Sequence, residues 1–476
     1  MTGGPTVFVS VPHGAAAGNI LRTGLVQHLL DAHPECEIVL LSPMAADEAF
    51  VREFQRARIL DLPPHRPAGL EGRLMALVQA SYIDSGVTES VRIRRQEAIA
   101  NGTIRWIRAK RLLSTIAAPS IVRPGTRYEL IDRHVSHPWA EALFDEHRPS
   151  LLVTSSPGLI FSEIPLLRTA VRRRVRTVTI DPSWDNFTNK LIPVRRVNRL
   201  IVWNDLMRRQ AIDLHGYAPD DIRVAGTPQW DPYFRENSFV TREAFFHRIG
   251  ADPARRLIAL TTTPRELYPH HDHVLRVLID AMARRAWRHD VQVLVRLHPR
   301  DRIEAYAAFQ GTPHVIIEKP FRPTVRAGDG LDVDVTAESQ AHLANTMRHS
   351  NVVVNVASTL AVEAAIVDTP VVNIAFDGEA PSPFARSARR YYRFTHYVDV
   401  MRHGAVRVAD DPAQLVEAIG RYLDDPSLDR EGRRRAAMEQ CPFRDGRSAE
   451  RVASFVAEEL AAICGAPPRP LAAVGQ

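Results

Sequence analysis

Apolar residues in this chain gather into short runs of strand length, each followed by a stretch whose apolar positions recur every three or four residues. Val7 to Val11 is the first run. Gly18 to Ala32 follows, with Ile20, Leu21, Leu25, Val26, Leu29 and Leu30 on one helical face, and Glu37 to Leu41 is the next run. The runs are continuously apolar rather than alternating, the signature of strands buried on both faces of a parallel sheet. Leu151 to Thr154, Arg176 to Ile180 and Leu200 to Trp203 have the same character, bounded by Pro, Gly, Asp and Asn. Gly72 to Ser120 reads as helical and arginine-rich, and the pattern alone gives it no role.

Near Gly226 to Asn237, with Pro228, Trp230, Pro232 and Tyr233, the pattern breaks into turn-forming residues and restarts at Arg256 to Thr261. The second half then predicts a helix over His273 to Arg288, strands at Val291 to Leu297 and Val315 to Glu318, and a helix over Ala341 to Arg348. A strand at Val352 to Val356, a helix over Thr359 to Val367 and a strand at Val371 to Ala375 follow. Helical signal returns at Ala413 to Leu423 and at Ser448 to Cys464. The expected fold is α/β of the GT-B kind: two Rossmann-like doubly wound domains facing a cleft. The expected division is an N-terminal domain over 1–235, a C-terminal domain over 236–445, a closing helix over 446–465 and a disordered tail over 466–476.

A chain of 476 residues, 45% hydrophobic and 24% charged, exceeds what one core usually supports and can bury two. Its longest apolar region, Val352 to Phe376, is interrupted by Asn355, Ser358, Thr359, Glu363, Asp368 and Pro370, too polar for a membrane-spanning helix. The N-terminus lacks the basic flank and apolar core of a signal peptide, so the expected location is the cytoplasm, extending to the inner face of the membrane. Cys36, Cys441 and Cys464 lie far apart without ligand spacing, so reduced thiols and no metal site are expected. The net charge is +6, and among the 61 basic residues only Lys110, Lys190 and Lys319 are lysines, a bias ascribed to base composition. The clusters Arg172 to Arg176 and Arg386 to Arg393 accompany no nucleic-acid motif, so contact with an anionic membrane surface or lipid-linked acceptor is preferred over nucleic acid.

Candidate chemistry falls where strands end. "RLHP" puts Arg296 and His298 at the carboxyl end of a strand, the edge at which open α/β sheets bind ligands. Ser358 and Thr359 stand where a strand turns into a helix, a natural seat for a diphosphate, and Glu363 lies one turn on, in reach of a ribose diol. Thr263, in "TTTP", closes another strand of the same domain. Taken singly, the Ser-Thr pair reads as an ordinary helix cap and Arg-x-His-Pro as a strand ending. Jointly they form the donor-binding set. In the first half, His13 follows the first strand and precedes Gly14 and Gly18; an imidazole there suits general-base work, or a cap. The loop "DPSWDNFTNK" supplies Asp185 as the alternative base, with Trp184, Asn186 and Lys190 on the acceptor side; the same loop also reads as a rigid turn capped by Asp185 with Trp184 packed inward.

The segments "SWDNFTNK", "VWNDLMRRQAIDLHG", "VAGTPQWDPYF", "RLHPRD" and "SNVVVNVASTLAVEAAIVDTPVVNIAFDG" together resemble bacterial surface-polysaccharide glycosyltransferases of the GT-B superfamily, over about Leu151 to Asp377. The Arg-x-His-Pro and Ser-Thr pairing is also similar to the donor-phosphate motifs of bacterial sialyltransferases, capsular Kdo transferases and CDP-glycerol glycerophosphotransferases. The resemblance implies a nucleotide-activated sugar as substrate, a glycan or lipid-linked acceptor, envelope polysaccharide synthesis as the setting, and neither cofactor nor metal. It implies His298, Ser358 and Thr359 on donor phosphate and Glu363 on the ribose; residues 72–120, from their place in the first half, read as an acceptor-side insertion. Two departures stand out. The glycerophosphotransferases pair HG-type histidines, for which only His13-Gly14 and His215-Gly216 are available. The nucleotide-sugar 2-epimerases carry Arg-Glu-Asn where this chain has Arg265, Glu266 and Leu267.

Overall fold

The computed structural model describes residues 4–117, 134–190, 197–328 and 331–465; the tail expected to be disordered lies outside them. Two compact units emerge, and the chain crosses between them more than once. The first comprises Met1–Asp231, Arg322–Thr336 and Asp445–Gln476; the second comprises Pro232–Phe321 and Ala337–Arg444.

The first unit is built on parallel strands β1 (Thr6–Ser10), β2 (Glu37–Ser42), β3 (Arg58–Asp61), β4 (Leu151–Thr154), β5 (Arg176–Ile180), β6 (Arg199–Val202) and β7 (Ile222–Val224). They lie in the order β3-β2-β1-β4-β5-β6-β7. Val7 and Val9 of β1, Ile38 and Leu40 of β2, and Leu151 and Val153 of β4 share one core with the closing helix Ser448–Cys464, through Val452, Val456 and Leu460. That helix starts where it does because both carboxylate oxygens of buried Asp231 accept the Ser448 and Ala449 N–H groups, each at 2.9 Å.

The second unit repeats the plan. Its strands β8 (Arg256–Thr261), β9 (Val291–Arg296), β10 (Val315–Glu318), β13 (Val352–Asn355), β14 (Val371–Ile374) and β15 (Arg407–Ala409) form a parallel sheet in the order β10-β9-β8-β13-β14-β15. In both sheets strand order reverses beside the first strand of the unit, between β1 and β4 and between β8 and β13. The crevice outside the carboxyl ends of such a pair is where doubly wound sheets hold ligands.

The remaining strands, β11 (Arg322–Gly328) and β12 (Leu331–Asp334), form an antiparallel hairpin that belongs to the first unit although it lies within the span 236–445 expected as one C-terminal domain. Its anchorage is specific. A Cβ on Gly14 would stand 2.3 Å from the Val333 carbonyl oxygen, and one on Gly18 2.7 Å from that of Val335, so only glycine admits the hairpin backbone. Buried Asp334 accepts from Arg22 Nη1 at 2.6 Å and Nη2 at 2.8 Å and is also bound by Arg322.

The single helix expected over Gly18 to Ala32 is broken: a π-type turn, Ala17–Leu21, gives way at Gly24 (φ +93°) to a helix over Leu25–Ala32. The arginine-rich region forms helices Gly69–Ser85, Glu89–Ala100 and Ile104–Ala117.

Candidate functional site

At the carboxyl edge of the second sheet, the residues following β9, β8 and β13 come from three neighbouring strands, a span of about 10 Å at ordinary strand spacing. After β8, the Thr262 hydroxyl donates to Asp301 at 2.8 Å and accepts the His298 backbone N–H at 2.8 Å, tying the "RLHPRD" turn to the neighbouring strand. Tyr306 donates to the same Asp301 carboxylate at 2.9 Å. His298 is thereby fixed at the strand end, half-buried. Its Nδ1 accepts the Arg300 N–H at 3.1 Å. Desolvation, with the Arg300 and Lys319 charges, pushes its pKa down to about 4, so the ring is neutral at pH 7. A neutral imidazole whose Nδ1 accepts carries its proton on Nε2, and His298 is therefore a hydrogen-bond donor at that atom.

Thr263 is held by buried His271, whose Nε2 accepts the Thr263 N–H at 2.9 Å and lies 3.0 Å from Oγ1. Burial pushes the His271 pKa down to about 3. After β13, Ala357 takes a positive φ of 34° and swings Ser358 and Thr359 past the strand end. Ser358 Oγ accepts the Leu360 N–H at 3.2 Å, whereas Thr359 is already helical and makes no side-chain cap. Glu363 lies on the following helix, buried, and accepts the Tyr233 hydroxyl at 2.6 Å. Thr262, Asp301 and Tyr233 were not singled out for a role, although all three lie within segments that the sequence drew attention to, "TTTP", "RLHPRD" and "VAGTPQWDPYF".

Arg296 differs from the donor-side role the sequence suggested. It is buried, forms an ion pair with Glu318 at 3.1 Å, and donates to the Ser339 carbonyl at 3.5 Å. His342 Nε2 lies 2.9 Å from both Glu318 oxygens. Against the cost of burial, the hydrogen bond to His342 and the charge of Arg296 hold Glu318 below the usual carboxylate range. The guanidinium is thus the interior brace of β9, one position before the turn that carries His298.

In the first unit the corresponding edge is spent on itself. His13 caps a short helix, its Nδ1 accepting the Ala16 N–H at 3.1 Å. A neutral imidazole has one acceptor nitrogen, so the geometry makes His13 a cap and gives it no lone pair for base work while that bond persists. Asp185 accepts from the Ser183 hydroxyl, from Asn189 Nδ2 at 3.3 Å, and pairs with Lys190 Nζ at 3.2 Å. Trp184 and Asn186 are buried, Asn186 donating to Asp181 at 2.7 Å, so they build the loop rather than face an acceptor. Lys190 is the exposed member of the set.

One buried acid, Glu163, escaped sequence reasoning; a second, Asp181, opens the candidate loop "DPSWDNFTNK" without having been given a role. Glu163 accepts from Ser155 N–H at 2.7 Å, Ser155 Oγ at 2.9 Å and Ser156 Oγ at 2.7 Å, clamping the loop after β4; burial pushes its pKa up to about 7. Asp181, at the end of β5, accepts the Ser183 N–H at 3.1 Å and is likewise pushed up to about 7 by burial. One group among the described residues has metal-ligand spacing: His65, Glu71 and His137, with ligand atoms within 4.8 Å. Its counter-charge is already supplied by buried Arg168, ion-paired with Glu71 and 3.3 Å from His137 Nε2.

Two doubly wound parallel sheets of one topology define a GT-B fold. The solved structures agree at the level of fold: the S. aureus MnaA–UDP co-structure aligns with a TM-score of 0.57 at 10% identity, covering 98% of this chain and 100% of that one. UDP-GlcNAc 2-epimerase from Neisseria meningitidis bound to UDP-GlcNAc gives 0.56 at 10% identity, covering 95% and 99%. Residues 164–458 match the family described as CDP-Glycerol:Poly(glycerophosphate) glycerophosphotransferase, and with more than half of its length matched the chain belongs to that family. Among curated proteins, lipid-A-disaccharide synthase of Syntrophotalea carbinolica is 26% identical over 249 residues; the match covers 50% of this chain and spans only about half of that protein, 56%.

Proposed function

We propose that the protein is a transferase that moves a sugar from a nucleotide-activated donor to an acceptor hydroxyl of a glycan or lipid-linked chain. The observation that carries the reading is the neutral His298, held as an Nε2–H donor on the strand beside Thr263 and next but one to Ser358. Donors fixed before the reaction stabilise charge that develops on a departing phosphate, without reorganisation at the moment of bond cleavage. In this reading His298, Ser358 and Thr359 take the diphosphate. Thr263 flanks it, Glu363 with Tyr233 faces the ribose, and Arg296 acts by bracing the strand. Stabilisation of the departing phosphate is assigned to these hydrogen-bond donors rather than to a metal ion, so turnover is expected to be unchanged by a chelator.

Acceptor handling is assigned to the first unit. Asp185 is retained as the base there, because a carboxylate accepts from several donors at once whereas neutral His13 has a single lone pair. Deprotonation of the acceptor hydroxyl accompanies its attack on the anomeric carbon, and the nucleotide leaves with the bonding pair, as a nucleoside diphosphate or, from a CMP-sugar, as CMP.

The family match supports a second reading, transfer of glycerol phosphate, in which attack falls on phosphorus and a nucleoside monophosphate departs. The two are separated by supplying UDP-, GDP- and dTDP-sugars, CMP-sugars and CDP-glycerol with an acceptor extract and following nucleotide release. Release from a sugar donor that falls with His298→Ala supports sugar transfer. Release of CMP from CDP-glycerol alone supports the second reading, and epimerised nucleotide sugar without acceptor contradicts both.

A further inference from the structure

We propose that Lys319 is a phosphate-binding residue of the second unit, its ammonium neutralising the donor phosphates that His298, Ser358 and Thr359 take by hydrogen bond. The inference rests on the donor reading above and supplies what that reading lacks. None of those three side chains carries a charge at pH 7, and Arg296, which the sequence placed among the donor-binding residues, is turned inward to Glu318. The backbone fixes where Lys319 stands. β10 runs parallel to β9 with Glu318 opposite Arg296, and the Leu297 N–H donates to the Glu318 carbonyl at 2.9 Å. Lys319 is the first residue past the end of β10, as Leu297 is past the end of β9, so its backbone lies one strand spacing, about 5 Å, from the segment that carries His298. Pro320 follows, and the Phe321 N–H donates to the Lys319 carbonyl at 2.8 Å, a tight three-residue turn that holds Lys319 at the carboxyl edge.

The surroundings of Lys319 select an anion. Its sequence neighbour Glu318 is already taken by Arg296 and His342, and among the described residues none forms an ion pair with the Lys319 ammonium. Two cations bear on the His298 ring, those of Arg300 and Lys319. Arg300 is exposed, so water and salt screen its charge; Lys319 is half-buried and screened less. A half-buried ammonium has given up part of its hydration without a counter-ion, and an anion arriving at the same edge offsets that cost. Lysine is also the uncommon cation in this chain, three among 61 basic residues. An ammonium is a compact point charge that serves several phosphate oxygens, whereas a guanidinium presents a planar fork, so the two are not interchangeable at such a seat.

The test is calorimetric titration of the full chain with CMP, CDP, UDP, GDP, ADP and dTDP, and with the nucleoside of each. For the nucleotide that binds, Lys319→Ala should weaken affinity at least about tenfold, the effect of losing one hydrogen bond from a charged group. Lys319→Arg should recover part of that loss, and Arg300→Ala should weaken affinity less than about fivefold. Affinity for the nucleoside should be the same in every variant, and added salt should weaken nucleotide binding by the parent more steeply than by Lys319→Ala. The melting temperature without ligand reports folding, and with no ion pair to lose at Lys319 the variants should match the parent. Nucleotide affinity that survives Lys319→Ala but falls in His298→Ala would overturn the assignment of Lys319 and leave the seat at His298 standing. An equal loss for the nucleoside would also overturn it, because phosphate would then not be what Lys319 recognises. No nucleotide binding by the parent would overturn the donor reading itself, and this assignment with it.

Discussion

The two sheets share a strand order but differ in what they do with the polar groups at their carboxyl edges. In the first unit, His13 caps a helix, Asp185 pairs with Lys190 and Glu163 is sealed under Ser155 and Ser156. In the second, Thr262 and Asp301 carry the bracing, and the ring of His298 keeps a donor at the rim. The same backbone therefore yields one edge whose polar groups bond one another and one that leaves a donor, on which the proposed nucleotide seat rests. The difference lies in whether the polar residue beside the strand end is itself the ligand group or is held by a neighbour that spares it.

That contrast can be broken from its interior outwards. Arg296→Ala leaves the half-buried Glu318 carboxylate without its guanidinium partner, and loss of one member of a buried pair costs at most about 3–5 kcal/mol. A denaturant titration should show that loss, with Arg296→Lys recovering part of it. His298→Ala should do the opposite: turnover falls by about 10²–10³, the usual cost of removing a preorganised donor, while the unfolding midpoint barely moves. If the two variants exchanged effects, the bracing and ligand roles would be wrongly divided.

A smaller effect sharpens the description of the first unit. Glu163 has a folded pKa raised from 4.5 to about 7 by burial. Its neutral form is therefore favoured by folding, and the stability it contributes is fully present below pH 4.5 and lost as pH rises through about 7. The melting temperature of Glu163→Gln should accordingly depend less on pH across that window than the parent's. Smallest of all, Ser358→Ala should reduce turnover about fivefold, because a single neutral hydrogen bond contributes roughly 1 kcal/mol.

Much of this was legible in the sequence because parallel strands buried on both faces are written as unbroken apolar runs. Leu151–Thr154 and Arg176–Ile180 fall where the pattern puts them. Three of the four edge strands were not legible, although Val315–Glu318 was: Arg58–Asp61 has only two apolar residues, and Ile222–Val224 and Arg407–Ala409 are three residues long with an arginine in each. The helix over Gly18 to Ala32 was misjudged because its apolar spacing continues past Gly24, where the backbone turns left-handed. The hairpin's allegiance was hidden for a different reason. It depends on the absent side chains of Gly14 and Gly18, some three hundred residues away, which local pattern does not encode.

At the site, His298, Ser358 and Thr263 were readable because position after a strand is local information. That Arg296 would turn inward to Glu318, and that Glu163 would be sealed from water, depends on partners from other elements.

The central claim, a nucleotide seat in the second unit built around His298, is tested most directly by thermal shift of the purified chain with CMP, CDP, UDP, GDP, ADP and dTDP. A ligand that binds only the folded state raises its melting temperature. The account predicts a rise with one base that disappears in His298→Ala and shrinks in Ser358→Ala. A rise that both variants retain, or no rise with any nucleotide, would contradict it.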